Sequence, residues 1–520
     1  MTAVEQQGAV SSSIAASRRS LPVVVFVAGA ASLAIEICAS RLLAPYFGNS
    51  TVVWANVIGL ILVYLSVGYW LGGRIADRHP TPRALGAVLL LASAAIAVLP
   101  FIAQPFLNLA VRGLNALSVG VVIGSFFSTL LLFIVPVSLL GMVSPFALRL
   151  SLRDVARAGR TSGRLSSLAT VGAIVGTFGA ALLLIPAIGT QRTMLAASLA
   201  TALAALPLLV RPAIVLAIVV GGLIAVPPSA PKPEFGTIAE REDAYQFVQV
   251  LREADNKIVM RTDEGVADQS VYREDATLTG GEWDMSLVVP PMMSVPPRRI
   301  LVIGNAGGTT ARGLAAEYPG ASIDGVELDP VVTELARTYM AMGSIPGLHV
   351  YTADGRAFLR ASTSQYDLIV VDAYRQTYIP FQLATEEFFL LVRDHLAPGG
   401  AVALNVERVP DDDNLVRNIS DTVASVFPQV WKWPALRFNE LVVGLTQPIS
   451  RSTLLNRMQT LPSDVQSLGP LVASDAHVVG ASASPMTDDH APVEWLTDRA
   501  VLAYIAAGGR LDEQLLPTAP

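Results

Sequence analysis

The chain has 520 residues, 52% apolar and only 15% charged, with a mean hydropathy of +0.51. A soluble domain carries about 25% charged residues, so one water-soluble domain is excluded, as are a disordered chain, a collagen-like one and a disulfide-rich secreted one. The net charge of −6 divides unevenly: residues 1–231 carry 14 arginines against 4 acidic residues, a net +10, and residues 232–520 carry 22 basic against 38 acidic, a net −16.

An apolar half whose charges are nearly all arginine reads as a domain in a lipid bilayer, and an acidic half of ordinary polarity as a soluble domain. Neither offers the concentrated basic face that nucleic acid needs. In chain order, residues 1–20 form a cytoplasmic tail and residues 21–227 a transmembrane domain. Within it lie seven apolar stretches of roughly spanning length: Leu21–Leu43, Val53–Gly73, Ala84–Ala103, Val119–Phe146, Ser166–Ile188, Met194–Val210 and Ala213–Val226, the last two short. The first runs past the ~15 apolar residues of a signal peptide and on towards a second span, so it reads as a retained helix. The arginines at 74, 78 and 83 and those at 149, 153, 157, 160 and 164 are separated by two spans, and the excess of positive charge on inner loops puts both groups on one face. Glu36 is the one acid well inside a span. Such a residue is a functional candidate by default, and the plainer reading pairs it with Arg41 near the interface.

Residues 228–236 form a proline-rich linker. A small β subdomain follows over 237–290, with strands at Tyr245–Leu251 and Lys257–Arg261. Residues 291–520 then alternate strands and helices. The strands are Arg299–Gly304, Ser322–Glu327, Leu348–Thr352, Tyr366–Asp372 and Ala401–Val406, and the helices Thr309–Tyr318, Pro330–Met342 and Thr385–His395. Such alternation predicts a mostly parallel, Rossmann-like α/β sheet with its ligand at the strand carboxyl ends.

Chemistry collects at those ends. The first strand opens into a glycine turn, Gly304-Asn305-Ala306-Gly307-Gly308, which lets backbone approach a ligand closely. The second ends in Asp324-Gly325-Val326-Glu327-Leu328-Asp329, about 20 residues on, with Glu327 placed for ribose hydroxyls. The third ends in Ala353-Asp354-Gly355, an acid suited to an adenine amino group, and the fourth in Val371-Asp372. Together the four ends read as a nucleoside pocket, against a plainer reading as polar residues where buried strands meet solvent. A nucleoside site implies that this half faces the cytoplasm. That needs either a re-entrant segment near Arg211-Pro212 or a further crossing within Gln104–Leu117.

These motifs, with Tyr245-Gln246 on an early strand, resemble the polyamine aminopropyltransferases, the spermidine synthase family. The first half is similar to bacterial membrane-fused forms of it, through Glu36-Ile37-Cys38-Ala39-Ser40-Arg41-Leu42-Leu43-Ala44-Pro45-Tyr46-Phe47-Gly48, Gly141-Met142-Val143-Ser144-Pro145 and Thr487-Asp488-Asp489-His490-Ala491-Pro492-Val493-Glu494. The resemblance implies a methyltransferase-type fold, a bacterial inner membrane location and a homodimer among the partners. It also implies aminopropyl transfer from decarboxylated S-adenosylmethionine to putrescine or a related amine. It assigns Gln246 to a substrate contact, Gly304, Gly308, Glu327, Asp354, Gly355 and Asp372 to the nucleoside, and Asp372 to the first aspartate of the catalytic loop.

The chain departs from the family pattern on the amine side. The proton-accepting aspartate is Arg375, the aspartate of the glycine turn is Gly307, and a triplet near the amine is Trp283-Asp284-Met285. Two like unit charges ~4 Å apart repel by ~4 kcal/mol at an effective dielectric of about 20, so Arg375 opposes a dication. Three readings follow. Acidic anchors have moved, drawn from Asp284, Asp372, Asp488, Asp489 and Glu494, with Asp372, Tyr374, Arg375 and Asp284 at the reacting end and Tyr245 as a further substrate candidate. Alternatively Arg375 grips a carboxylate, on an acidic acceptor or on intact S-adenosylmethionine, in a methyltransferase-like enzyme. A third reading is a nucleoside sensor that gates the membrane half. Gly72-Gly73-Arg74-Ile75-Ala76-Asp77-Arg78 is similar to a major facilitator loop, but seven spans are too few for that fold's two halves. The five histidines lack metal-ligand spacing, and no metal is expected.

Overall fold

The computed structural model describes residues 3–47, 51–116, 121–152, 157–227, 234–243, 245–263, 267–374, 378–480 and 484–507. Arg375 and residues 228–233 of the linker lie outside them. The chain divides into two compact units, one of Met1–Pro233 with Glu242–Gln246 and one of Glu234–Arg241 with Phe247–Pro520.

The first unit is helical. Among the described residues, five runs are long and apolar enough to cross a membrane: Ser20–Phe47, Val53–Arg78, Pro82–Ala110, Gly124–Ser151 and Ala158–Ala204, with a shorter apolar helix at Val210–Ala225. This differs from the expected seven. The stretches Ser166–Ile188 and Met194–Val210 join in one 47-residue run, interrupted at Gly189, whose φ of 80° and ψ of 166° are non-helical. The break falls at the start of the polar stretch Gly189-Thr190-Gln191-Arg192-Thr193, which separates the two expected apolar stretches in the sequence.

Small residues set the packing. A Cβ on Gly172 would lie 2.1 Å from the Phe26 carbonyl oxygen, and one on Gly176 would lie 2.0 Å from that of Ala30. Glycine alone lets these two backbones meet, the usual device where apolar burial cannot distinguish helix from lipid. Ser93 and Ser198 exchange hydroxyl-to-carbonyl hydrogen bonds of 2.9 and 2.7 Å between distant helices. Arg149 pairs with Asp77 at 3.0 Å, which brings Arg149 to the end of the bundle that carries Arg74 and Arg78.

The second unit begins with a four-stranded sheet of β1 (Thr237–Glu242), β2 (Phe247–Arg252), β3 (Ile258–Thr262) and β4 (Ser270–Tyr272), in that order. Eight strands follow: β5 (Arg299–Ile303), β6 (Ser322–Glu327), β7 (Leu348–Thr352), β8 (Tyr366–Val371), β9 (Leu396–Glu407), β10 (Gln429–Leu436), β11 (Asn439–Leu445) and β12 (His477–Val478). They form one sheet in the order β12-β10-β11-β9-β8-β5-β6-β7. Strands β7, β6, β5, β8 and β9 are parallel; β11, β10 and β12 add antiparallel.

Alternation explains why the parallel strands read as continuous apolar runs. Ile300 and Val302 enter one core, Leu301 and Ile303 the other, and all four are buried. The antiparallel pair β10–β11 escaped the expected alternation, and β9 extends to Glu407, one residue beyond the predicted Val406.

Candidate active site

From β5 the chain steps outward to β6 and β7, then returns to β8 and β9 on the other side. The topological switch point therefore lies between β5 and β8, and ligands bind outside the strand carboxyl ends there. The glycine turn occupies this crevice. Gly304 has φ 86°, and a Cβ on it would lie 2.2 Å from the Asp372 carbonyl oxygen, so the ends of β5 and β8 meet only because residue 304 has no side chain. Gly308, at φ 83°, caps the helix Thr309–Glu317.

Glu327, at the end of β6, is 9% exposed. Its Oε2 accepts from Ala306 N at 2.9 Å and its Oε1 from Asp329 N at 3.0 Å. Burial nonetheless holds its carboxyl above the usual range. Each oxygen keeps further acceptor capacity, which fits a pair of ribose hydroxyls. Asp354 caps the helix Gly355–Ala361 through Oδ1, accepting from Ala357 N at 2.8 Å, and its second oxygen has capacity for an exocyclic amino group. A Cβ on Gly355 would lie 2.3 Å from Ile303 Cγ2, so residue 355 packs directly on β5.

Beside this nucleoside side lies a second, acidic group. Asp372 Oδ1 accepts from Asn405 Nδ2 at 3.0 Å, and Asn405 Oδ1 accepts from Asn439 Nδ2 at 3.0 Å. Tyr374 donates its hydroxyl to the Asn405 carbonyl at 3.0 Å. The helical turn Glu282–Val288 packs against β9, β10 and β11. Burial, then the neighbouring Asp372 charge, pushes the Glu282 carboxyl up; burial does the same to Asp372 against the opposing Asn405 bond. Both side chains are half-buried. Burial and then the charges of Asp372, Glu407 and Glu282 raise the Tyr374 phenol. Glu407, at the end of β9, is pushed up to about 8 by burial and by Asp498.

The expected residues therefore separate. The structure gathers Gly304, Gly308, Glu327, Asp354, Gly355, Asp372 and Tyr374 along one sheet edge. Tyr374, weighed as a proton carrier, has its hydroxyl engaged by backbone and reads as a wall. Asp284 turns into its own loop, Oδ2 accepting from Gly280 N at 2.8 Å and Thr279 N at 3.0 Å, so it is a poor anchor for an amine. Asp488 forms a two-bond ion pair with Arg356, both contacts 2.7 Å, and accepts from Thr385 Oγ1 at 2.8 Å. It pins a loop, and the adjacent Asp489 is exposed. Glu494 lies on the helix Val493–Ala506, close enough to Asp498 to raise its carboxyl after burial. Tyr245 and Gln246 form the turn before β2, both backbone nitrogens donating to Asp243 Oδ1; their predicted strand begins at Phe247.

At Gly307 the glycine is enforced. A Cβ there would lie 2.6 Å from Ser270 Cβ and 2.7 Å from Met340 Sδ, and Gly307 N donates to Ser270 Oγ at 2.8 Å. The space that an aspartate would need is filled by β4. Glu36 lies half-buried on the first helix of the other unit. Among the described residues no His, Cys, Asp and Glu group is arranged to hold a metal ion.

Comparison with known proteins shows what this part of the chain is similar to. Residues 284–436 match the family model described as "Spermine/spermidine synthase domain". Residues 284–436 are thus similar to a spermine/spermidine synthase domain. It is 40% identical over 190 residues to a "Probable polyamine aminopropyl transferase" of Bifidobacterium longum, covering 36% of this chain and 42% of that one. It is 31% identical over 176 residues to a "Polyamine aminopropyltransferase" of Vibrio vulnificus, covering 33% and 58%. The match thus spans about half the length of these relatives. A solved structure of a "probable spermidine synthase" from Corynebacterium glutamicum aligns with a TM-score of 0.38 at 20% identity, covering 49% of this chain and all of that one.

Three residues of this polar group beside Asp372 escaped the sequence reading: Glu282, Asn405 and Glu407. Asn405 carried a signal, since a lone amide inside the apolar run Ala401–Val406 has to find a buried partner.

Proposed function

We propose that the protein is a membrane-anchored aminopropyltransferase that moves an aminopropyl group from decarboxylated S-adenosylmethionine to a small amine. The observation that carries this reading is the adjacency, through Asp372, of nucleoside-suited strand ends and the carboxylates Glu282 and Glu407. An amine acceptor is cationic in water, with a pKa near that of lysine, about 10.4, and a recess of acids is the chemistry that collects and deprotonates it.

When bound, the sulfonium donor supplies an activated carbon and a neutral thioether leaving group. The amine nitrogen forms the new C–N bond as the C–S bond breaks, and its proton passes to Asp372. A carboxylate whose proton affinity is raised by burial is a stronger base than an ordinary one, and Asn405 fixes the oxygen that Asp372 presents. Glu327 and Asp354 orient the ribose and the base. The apolar helices of the first unit support an inner-membrane anchor, and the nucleoside donor supports a cytoplasmic synthase domain. Arg375 supports a second reading, in which its guanidinium holds the carboxylate of intact S-adenosylmethionine.

The test offers detergent-purified protein each sulfonium in turn with a panel of diamines and follows products by mass spectrometry. Aminopropylated amine from the decarboxylated donor supports the first reading, and methylated acceptor from the intact one the second. Binding of either nucleoside without turnover points to a sensor.

A further inference from the structure

Two helices of the first unit carry the same gradient along one face. On Thr51–Arg78, the residues Val63, Val67, Trp70, Arg74 and Arg78 recur at intervals of three and four and so share a face, and all five are exposed. On Ala158–Gly179 the order runs the other way along the chain. Arg160 and Arg164 precede Val171, Val175 and Phe178 at the same spacing, again all exposed. The short helix Val143–Ser151 packs against both of these helices, and its Arg149 pairs with Asp77 at 3.0 Å.

The other guanidiniums have no such partner. Among the described residues of 70–83 and 143–164, Asp77 is the one acid, and Arg74, Arg78, Arg83, Arg160 and Arg164 pair with no carboxylate. Arg74 lies over the Trp70 ring, its Cζ 3.8 Å from the centroid. A guanidinium stacked in this way keeps its planar N–H fork for a second ligand, and that fork matches phosphate.

Exposed arginine alone is an ordinary solvated face. What singles out a lipid is the remainder of the same two faces, since a soluble anion held by the arginines would leave Val63, Val67, Val171 and Val175 in water. Depth agrees with this. A helix rises about 1.5 Å per residue, so Arg74 stands about 6 Å beyond Trp70 along the axis. The headgroup layer on each side of a bilayer is roughly 5–8 Å deep. With the Trp70 ring at the edge of the hydrocarbon, where tryptophan gathers, the Arg74 fork reaches the phosphates.

We infer that Arg74 on the Trp70 ring, with Arg78, Arg160 and Arg164, binds the headgroup phosphates of anionic phospholipids. The inference rests on the proposed membrane anchor and adds the class of lipid. A zwitterionic headgroup brings an ammonium with each phosphate and leaves the guanidinium charge uncompensated, whereas an anionic one neutralises it.

The experiment takes the full chain in detergent and counts bound lipid by native mass spectrometry, titrating phosphatidylglycerol and phosphatidylcholine of identical acyl chains. Wild type should bind phosphatidylglycerol at least ~10-fold more tightly, and Arg74→Gln and Arg164→Gln should each weaken it roughly 5-fold, with phosphatidylcholine unchanged. Arg74→Lys keeps the charge without the planar fork and should restore only part of the loss. Equal binding of the two lipids by wild type, or a phosphatidylglycerol preference unchanged in the Arg74→Gln, Arg164→Gln double variant, overturns the inference. Displacement of the lipid by millimolar inorganic phosphate assigns the arginines to a soluble anion and overturns it too. Flotation with phosphatidylcholine vesicles separates this claim from the anchor. Protein that floats but binds both lipids equally keeps the anchor and loses the headgroup site, and protein that does not float loses both.

Discussion

Asn405 holds Asp372 from the neighbouring strand, Nδ2 to Oδ1 at 3.0 Å. Asn439 donates to the other end of the same amide at 3.0 Å, which fixes its orientation: the oxygen is occupied, so the nitrogen faces the acid. The bond favours charged Asp372 against the burial that raises its proton affinity. Replacing Asn405 with leucine therefore raises that affinity further and moves the acid limb of the pH–rate profile to higher pH, with at least ~10-fold loss of transfer at neutral pH. A merely structural role would lower the rate without moving the limb.

Asp372→Asn removes the proton acceptor and keeps the shape. Transfer should fall by about 10²- to 10⁴-fold, while methylthioadenosine affinity, measured by calorimetry, changes far less. An equal loss of both would place Asp372 in nucleoside binding alone.

Glu407 gives a pH signature of stability. Its folded value of about 8 lies above the ordinary 4.5, so the fold prefers the protonated form. Its contribution is complete below pH 4.5 and is lost as pH rises through about 8. The melting temperature of Glu407→Gln relative to wild type should rise across that window, by about 2–4 °C for each kcal/mol recovered. Thermal melts at pH 4.5, 6.5 and 8.5 check the direction, and a flat difference would mean that Glu407 is solvated.

The nucleoside side was legible because its acids fall at strand ends: Glu327 closes Ser322–Glu327 next to the glycine turn, and Asp372 follows the apolar run Leu368–Val371. A parallel sheet buried on both faces produces that pattern, and its carboxyl edge is where polar residues gather. The amine side was less legible. Glu407 closes a strand that the sequence reading stopped at Val406. Glu282 sits in a glycine-flanked turn of no regular period, and its approach to Asp372 depends on how that turn packs over β9–β11. Asp488 and Asp284 looked like anchors because acids near a site motif are counted without their partners; Arg356 and the Thr279–Gly280 backbone had already claimed them. The apolar helices were legible by composition, and the break at Gly189 was legible as the polar stretch Gly189-Thr190-Gln191-Arg192-Thr193 between two apolar ones.

Gly307 is held by its neighbours. Gly307→Asp would force Ser270 and Met340 apart and should lower the melting temperature by several degrees, at about 2–4 °C per kcal/mol. Adding Ser270→Gly should recover part of the loss. Full stability of the single variant would show that the space beside Ser270 is open.

Asp488→Asn separates a pin from an anchor. Asp488 is half-exposed, so the loss of its pairing with Arg356 should cost no more than about 1 kcal/mol after solvent screening. The KM for the amine should be unchanged in steady-state assays. A rise in KM with no change in melting temperature would return Asp488 to the amine site.

The most direct measurement is product analysis of detergent-purified protein given decarboxylated S-adenosylmethionine and putrescine, beside the Asp372→Asn variant. The account predicts methylthioadenosine and aminopropylated amine in equal amounts from wild type and a near-complete loss of both in the variant. Wild-type protein that binds the nucleoside but forms neither product with any diamine would contradict it.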